Sequence, residues 1–122
     1  MNAEPSPAMR TTPRDIVESC IGACEACANA CDHCAAACLS EGAGQEMRRC
    51  IALDIDCAHI CRLTAGYLAR HSEFAKPLCA ACAGVSEACA KECAKHEREH
   101  CRACAQACSV AAAQCRAIAS AE

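Results

Sequence analysis

The 122-residue chain has few of the large side chains that normally fill a protein core. It contains no tryptophan, one phenylalanine and one tyrosine. Hydrophobic residue types make up 54% of the sequence, but 17 cysteines and 30 alanines account for most of that share and leave 19 larger apolar residues. Because burial of bulky apolar side chains is the main stabilising term in folding, an ordinary hydrophobic core is excluded. Either the cysteines form the core, or the chain has no compact fold.

Other features that the sequence lacks indicate the compartment in which we expect the protein and the partners that it does not bind. The net charge is −3 and there is no basic run, which argues against nucleic acid or an anionic membrane as the main partner. No apolar run approaches the ~20 residues of a membrane span, and residues 1–13 lack the apolar segment of about 7–15 residues that a secretory signal requires. We therefore expect a cytoplasmic protein with reduced thiols. An odd number of cysteines also disfavours a disulfide scaffold, since at least one thiol cannot pair within the chain.

The order of helix-starting and helix-stopping residues predicts an all-α fold. Residues 1–12 are expected to form a short mobile N-terminal tail, and residues 13–120 a single metal-storage domain. Thr12 and Pro13 are typical of an N-cap and a first helical position. The four predicted helices have short connections, which favours an antiparallel up-down-up-down four-helix bundle; they cover residues 13–40, about 45–70, 77 to about 95, and about 100–120.

The cysteines follow the 3/4 spacing of a coiled-coil seam on every predicted helix. In the first helix all six seam positions are cysteine, and in the other three helices the same register also takes in Met47, Asp54, Thr64, Ser86 and Ala111. None of the 17 cysteines falls on an outer face. The predicted metal ligands are all of them: Cys20, Cys24, Cys27, Cys31, Cys34, Cys38, Cys50, Cys57, Cys61, Cys79, Cys82, Cys89, Cys93, Cys101, Cys104, Cys108 and Cys115.

Such a seam is poorly explained as a plain apolar core. Free cysteine is often buried, but leucine, isoleucine and valine would bury more area at each position without the risk of oxidation. A catalytic or redox-active thiol needs one tuned position rather than a ladder, so an enzyme is not expected. The ladder indicates a protein that binds a soft metal ion.

Geometry and charge favour Cu(I) among the thiolate-binding metals. Cysteines four residues apart stand on one helix face and can hold one ion between two sulfurs, and bridging sulfurs then bring the ratio to about one Cu(I) per Cys. Such pairs are Cys20/Cys24, Cys27/Cys31, Cys34/Cys38, Cys57/Cys61, Cys89/Cys93 and Cys104/Cys108. Filling the bundle with about four tetrahedral Zn(II) ions would leave several buried negative charges, which is costly. The sequence also lacks the cysteine run that usually binds an iron–sulfur cluster.

With these seams on all four helices, the chain resembles the bacterial copper storage proteins, which are four-helix bundles lined with Cu(I)-binding cysteines. Because it lacks an export signal, the chain resembles the cytosolic branch of that family. The resemblance implies storage or sequestration of multiple Cu(I) ions and a homo-oligomer, often a tetramer. The expected partners are copper ions and a copper chaperone or a copper-requiring enzyme. Two other functions stay open: metallothionein-like Zn/Cd sequestration and a thiol redox buffer.

Non-cysteine residues distinguish the two ends of the predicted bundle. Met47, His96 and His100 gather at one end near Cys38, with Asp54 about one turn deeper, and we expect copper to enter there through these N, S and O ligands. His33 and His59 are expected to face solvent, and His71 either ends the second helix or binds metal. The opposite end is expected to be closed by an apolar plug of Ile16, Leu68, Phe74, Leu78 and Ile118.

The second predicted helix has apolar residues outside its seam. They form a stripe wider than one bundle core requires, which favours an oligomer interface, the alternative being deeper burial of this helix. The residues are Ile51, Leu53, Ile55, Ile60 and Leu63.

Overall fold

A computed structural model of the chain describes residues 13–42 and 44–121. These residues form α1 (Pro13–Ser40), a short 3₁₀ turn (Gln45–Met47), α2 (Arg48–Ala69), α3 (Ala75–Cys93) and α4 (Glu99–Ser120). The predicted tail at residues 1–12 lies outside the described part. Among the described residues, no helix is both long enough and apolar enough to cross a bilayer.

The helices form an antiparallel four-helix bundle with neighbours in chain order. Each helix packs against the next along the chain, and α1 closes the ring against α4. Sulfur contacts show the antiparallel directions: Cys20 meets Cys115 near one end of the α1/α4 pair, and Cys34 meets Cys101 near the other. The predicted up-down-up-down bundle is confirmed.

The helix ends differ by a few residues from the sequence-based expectation. The third helix begins at Ala75 rather than at Pro77. Proline is tolerated there because the first backbone N–H groups of a helix have no intrahelical acceptor. The same helix ends at Cys93 instead of about Lys95, because the backbone N–H groups of Lys95 and His96 bond three residues back.

Small side chains and thiols fill the interior of the bundle. All 17 cysteines are fully buried and free, and buried alanines such as Ala28, Ala58 and Ala83 let the helices approach closely. The core predicted from the composition is therefore present, with cysteine in the positions where leucine or isoleucine would normally lie.

The prediction of an apolar plug at the opposite end of the bundle is correct only in part. Leu68 and Ile118 are buried and Leu78 is half-buried, but Phe74 is 60% exposed and Ile16 is 39% exposed. The 3/4 register explains the error. Three residues before Cys20 lies Val17 and four before Cys79 lies Ala75, so these two face inward, whereas Ile16 and Phe74 are one position away and face outward.

Candidate metal centre

The inward residues of the bundle stack in layers. Five of the six layers have one residue from every helix, and the outermost layer has Met47 from the 3₁₀ turn and His96 from the α3–α4 turn in place of residues of α2 and α3. We number the layers from the end near the α3–α4 turn, which we call the mouth. Layer 1 contains Cys38, Met47, His96 and His100. Layers 2 to 6 are Cys34/Cys50/Cys93/Cys101, Cys31/Asp54/Cys89/Cys104, Cys27/Cys57/Ser86/Cys108, Cys24/Cys61/Cys82/Ala111 and Cys20/Thr64/Cys79/Cys115.

The sulfurs of these layers form a continuous array. Within one helix, four of the predicted i,i+4 pairs have Sγ–Sγ distances of 3.8–4.0 Å. Between helices, Cys50 and Cys93 are 3.4 Å apart, as are Cys27 and Cys108. Many of the thiols therefore have a sulfur neighbour on an adjacent helix, and several also have one on their own helix, which is the arrangement that bridging thiolates require.

Three- and four-membered ligand groups recur along this array. Their ligand atoms lie within 4.8 Å of one another and every member is buried. The groups include Cys27/Cys31/Cys57/Cys108, Cys31/Cys89/Cys104/Cys108, Cys34/Cys38/Cys50/Cys101, Cys34/Asp54/Cys93/Cys104 and Cys20/Cys24/Cys115.

Asp54 takes the place of a thiol in layer 3. Its carboxyl oxygens lie 3.3 Å from Cys89 Sγ and 3.2 Å from Cys104 Sγ, and the residue is fully buried. Burial, reinforced by the neighbouring Cys104, raises the pKa of Asp54 to about 8. At neutral pH the metal-free protein therefore holds a protonated acid at this position, which can donate a hydrogen bond to a thiolate.

Hydroxyl and methyl groups occupy the non-thiol positions of the deeper layers. Ser86 Oγ lies 3.5 Å from Cys57 Sγ, Thr64 donates its hydroxyl to the Ile60 carbonyl 2.7 Å away, and Ala111 is fully buried. Layers 4 to 6 therefore contain three thiols each. The helix that contributes the residue without a thiol changes from one layer to the next.

The thiols differ in proton affinity along the bundle. Near the mouth, burial raises the pKa of Cys101 to about 12 and also raises that of Cys38. In the interior, the hydrogen bond with Cys108 lowers the pKa of Cys27 to about 6, whereas the bond with Cys104 raises that of Cys31. The thiols thus share protons, and metal binding must displace those that remain.

His100 reaches the thiols at the mouth. Its Nδ1 lies 3.4 Å from Cys34 Sγ, 3.6 Å from Cys101 Sγ and 4.0 Å from Cys38 Sγ. Its Nε2 lies 3.0 Å from a carboxylate oxygen of Glu41. Such a carboxylate fixes the orientation of the ring and leaves the other nitrogen free for a ligand.

His96 lies at the same end but is held by a different carboxylate. Its Nε2 is 2.9 Å from Glu92 Oε2, and Arg49 and Lys95 each lie 3.4 Å from the other oxygen of Glu92. The hydrogen bond with His96 lowers the pKa of Glu92. Met47 is buried at the mouth, with 2% exposure.

Sequence reasoning missed the two carboxylates that hold the histidines. Glu92 and His96 are four residues apart across the C-terminal end of α3, and this spacing could have indicated their pairing. Glu41 gave no such signal, because it meets His100 only through the fold. His33 and His59 are exposed as predicted, although the His33 ring also meets that of His100 edge-on, with centroids 6.3 Å apart. His71 is exposed and ends α2.

Comparisons with known proteins agree with this geometry. Residues 14–120 match the family model described as copper storage protein. The chain is 47% identical to YhjQ, an uncharacterized cysteine-rich protein of Bacillus subtilis (strain 168), over 84% of this chain and 95% of that protein.

Two solved structures share both the fold and much of the sequence. The Cu(I)-bound copper storage protein BsCsp3 matches with a TM-score of 0.83 and 46% identity, over 86% of this chain and 99% of that one. A cytosolic copper storage protein from Streptomyces lividans, loaded with five coppers, matches with a TM-score of 0.85 and 40% identity, over 89% and 96% of the two chains. The chain therefore belongs to the copper storage protein family.

Proposed function

We propose that this protein stores or sequesters many Cu(I) ions in the cytoplasm, at about one Cu(I) per cysteine. The observation that carries the proposal is the continuous array of 17 buried, free thiols. Thiolates bind soft ions such as Cu(I), and one monovalent ion per thiolate leaves the interior nearly neutral. The cytosolic relative loaded with copper supports the compartment. The role is storage rather than catalysis.

Anaerobic titration of the reduced protein with Cu(I), in competition with a chromophoric chelator, tests this function. We expect saturation near one Cu(I) per cysteine, and an affinity that decreases as the pH falls because protons compete for the thiolates. Preferential uptake of about four Zn(II) ions would support metallothionein-like sequestration instead. Weak binding of both metals would support a thiol redox buffer.

We further propose that copper enters at the mouth through His96, His100, Met47 and Asp54. The support is positional: His100 faces three thiols of the first two layers, and Asp54 lies one turn deeper among the thiols of layer 3. The opposite end is covered by Leu68 and Ile118. Copper held by these ligands would pass to the thiolates, which bind it more tightly.

The role of the two histidines can be tested by measuring the rate of copper uptake separately from the final copper content. Replacing both His96 and His100 with alanine should slow copper uptake in stopped-flow measurements and leave the final Cu(I) content unchanged. The matched control is the exposed pair His59→Ala and His71→Ala, which should load at the wild-type rate. Unchanged kinetics in the His96/His100 variant would contradict entry at the mouth.

The outer face of α2 is proposed as a homo-oligomer interface. Ile55 is 44% exposed and Leu63 is 50% exposed, while Ile51, Leu53 and Ile60 are half-buried against the core. Leu63→Glu should therefore lower the molar mass measured by light scattering, whereas Val110→Glu on the outer face of α4 should not.

We also propose a transient partner for the delivery or withdrawal of copper, either a copper chaperone or a copper-requiring enzyme.

A further inference from the structure

Six cysteines at the centre of the bundle form two four-sulfur groups that have two members in common. In each group the four sulfurs lie within 4.8 Å of one another. Cys31 and Cys108 belong to both groups, and all six side chains are fully buried. The central six are Cys27, Cys31, Cys57, Cys89, Cys104 and Cys108.

The sulfur–sulfur distances in these groups match the edges of a tetrahedral zinc site. A Zn–S bond of about 2.3 Å gives a tetrahedron with edges of about 3.8 Å. In the first group, five of the six edges measure 3.4–4.0 Å. In the second, four edges measure 3.5–4.0 Å. A tetrahedral ion could therefore bind in each group with shifts of only a few tenths of an ångström along these edges.

The shared pair makes the two groups one unit. Cys31 Sγ and Cys108 Sγ are 3.6 Å apart and form a common edge of the two tetrahedra. We propose that the central six bind two Zn(II) ions, with Cys31 and Cys108 bridging the ions and the other four as terminal ligands. The two ions would use six thiols of the array proposed for copper, but their binding does not depend on copper storage being the function of the protein.

Charge favours this shared arrangement over separate zinc sites. Two ions on six thiolates leave a net charge of −2, whereas two isolated four-thiolate sites would leave −4 in the same dry interior. The Ser86 hydroxyl, 3.5 Å from Cys57 Sγ, can donate a hydrogen bond to that terminal thiolate and reduce the cost further. Zinc bound at separate four-thiolate sites throughout the bundle would not have this smaller net charge, so the proposal concerns the central six alone.

The other ligand groups named above do not share two sulfurs in this way. The Asp54 group offers one carboxylate oxygen in place of a sulfur and shares only Cys104 with the central six and only Cys34 with the mouth group. The mouth group of Cys34, Cys38, Cys50 and Cys101 shares no member with the central six, so a metal ion at the mouth has no ligand in common with the central pair. This difference supplies an internal control.

The test is ¹¹³Cd NMR of the intact, reduced protein under anaerobic conditions, with Cd(II) as the spectroscopic substitute for Zn(II). Two bridging thiolates transmit scalar coupling between the ions they join, so we expect two mutually coupled signals in the range of four-sulfur coordination. Cd(II) added to protein that already holds Zn(II) should give the same coupled pair, because the softer Cd(II) displaces Zn(II) from thiolates. Absence of a mutually coupled pair would overturn the proposal.

Four matched Cys→Ser variants separate bridging, terminal and unrelated thiols. The double variant Cys31→Ser/Cys108→Ser removes both bridges and should abolish the coupling, whereas Cys57→Ser should remove one signal of the pair and keep the other. Cys79→Ser in layer 6 and Cys38→Ser at the mouth should leave the coupled pair intact. Coupling that survives in the double variant, or that disappears equally in Cys79→Ser, would overturn the proposal, with circular dichroism checking that each variant retains its helices.

Discussion

Asp54 places a carboxyl group inside an array of thiols, where an ionised acid would be poorly solvated. Desolvation raises its pKa to about 8, so in the metal-free protein the acid is neutral up to that pH. A Cu(I) ion nearby would reverse this balance, because a positive charge stabilises the carboxylate. The same residue can therefore be tolerated without metal and serve as a ligand with it.

This raised pKa predicts that the contribution of Asp54 to the stability of the metal-free protein falls as the pH rises from about 4 to 8. Within this window the folded state keeps the Asp54 proton while an unfolded aspartate has released it, so this contribution to the unfolding free energy falls by about 1.4 kcal/mol per pH unit. Asp54→Asn removes the effect. Between pH 5 and pH 7, denaturant unfolding should show wild type losing about 3 kcal/mol relative to this variant.

The control for this experiment is Asp56→Asn, on the exposed side of the same helix. It should retain the wild-type pH dependence, because solvent screens its charge. A parallel pH dependence in the wild type and Asp54→Asn would show that Asp54 does not hold its proton in the folded state.

The helices themselves were predictable because the seam repeats without error over long stretches. The 3/4 spacing identifies an inward face even where the residue is not cysteine, as at Ser86 and Ala111, which are both fully buried. The register also decides side-chain direction at the helix ends, which is why Phe74 is exposed and Ala75 is buried. Overall hydrophobicity could not have indicated this, since phenylalanine is by far the more apolar of the two.

The C-terminal end of α2 contains a residue in a conformation that usually belongs to glycine. His71 has a φ of 54°; its N–H bonds to the Leu68 carbonyl, and the Ser72 N–H bonds to the Tyr67 carbonyl. This is a Schellman motif, with His71 at the left-handed position. At the end of α1 the equivalent residue is Gly42, with a φ of 67°.

His71→Gly is therefore expected to stabilise the metal-free protein. The left-handed conformation costs a residue with a side chain about 1–2 kcal/mol, and the greater flexibility of unfolded glycine offsets part of the gain, leaving about 0.5–1 kcal/mol. His59→Gly, at an exposed position inside α2, should instead lower stability by about 0.3–0.5 kcal/mol, the difference between the helix propensities of histidine and glycine. Thermal unfolding of the two variants measures this opposite effect, and a lower Tm for His71→Gly would contradict it.

The non-thiol positions of the seams predict how copper capacity can be changed. Ser86→Cys adds a fourth thiol to layer 4, beside Cys57 and Cys61, whose Sγ atoms lie 3.5 and 3.7 Å from Ser86 Oγ. We expect the variant to retain about one further Cu(I) per chain in chelator competition. Ser109→Cys, on the outer face of α4, is the matched control and should retain none. Equal capacity of both variants would indicate that surface thiols also store copper.

Across the whole molecule, the sequence indicates the bundle and its thiol-lined interior more completely than it indicates the mouth. Seam residues follow from helical periodicity within one element. The partners of the mouth histidines depend on contacts between elements: Glu41 meets His100 from the end of α1, and Arg49 of α2 meets Glu92 of α3. Those contacts depend on loop conformation and helix stagger, which periodicity does not encode.

The stability of the bundle as a whole is expected to depend on bound metal. The metal-free interior is built from cysteine, alanine and few larger side chains, so its burial contributes less than that of an ordinary core. Ions that bind the folded state and join sulfurs of different helices stabilise it through mass action. Full copper loading should therefore raise Tm by more than about 20 °C, as measured anaerobically by circular dichroism. The gain should increase with each addition of Cu(I), and equal Tm values for the metal-free and loaded forms would contradict a core completed by metal.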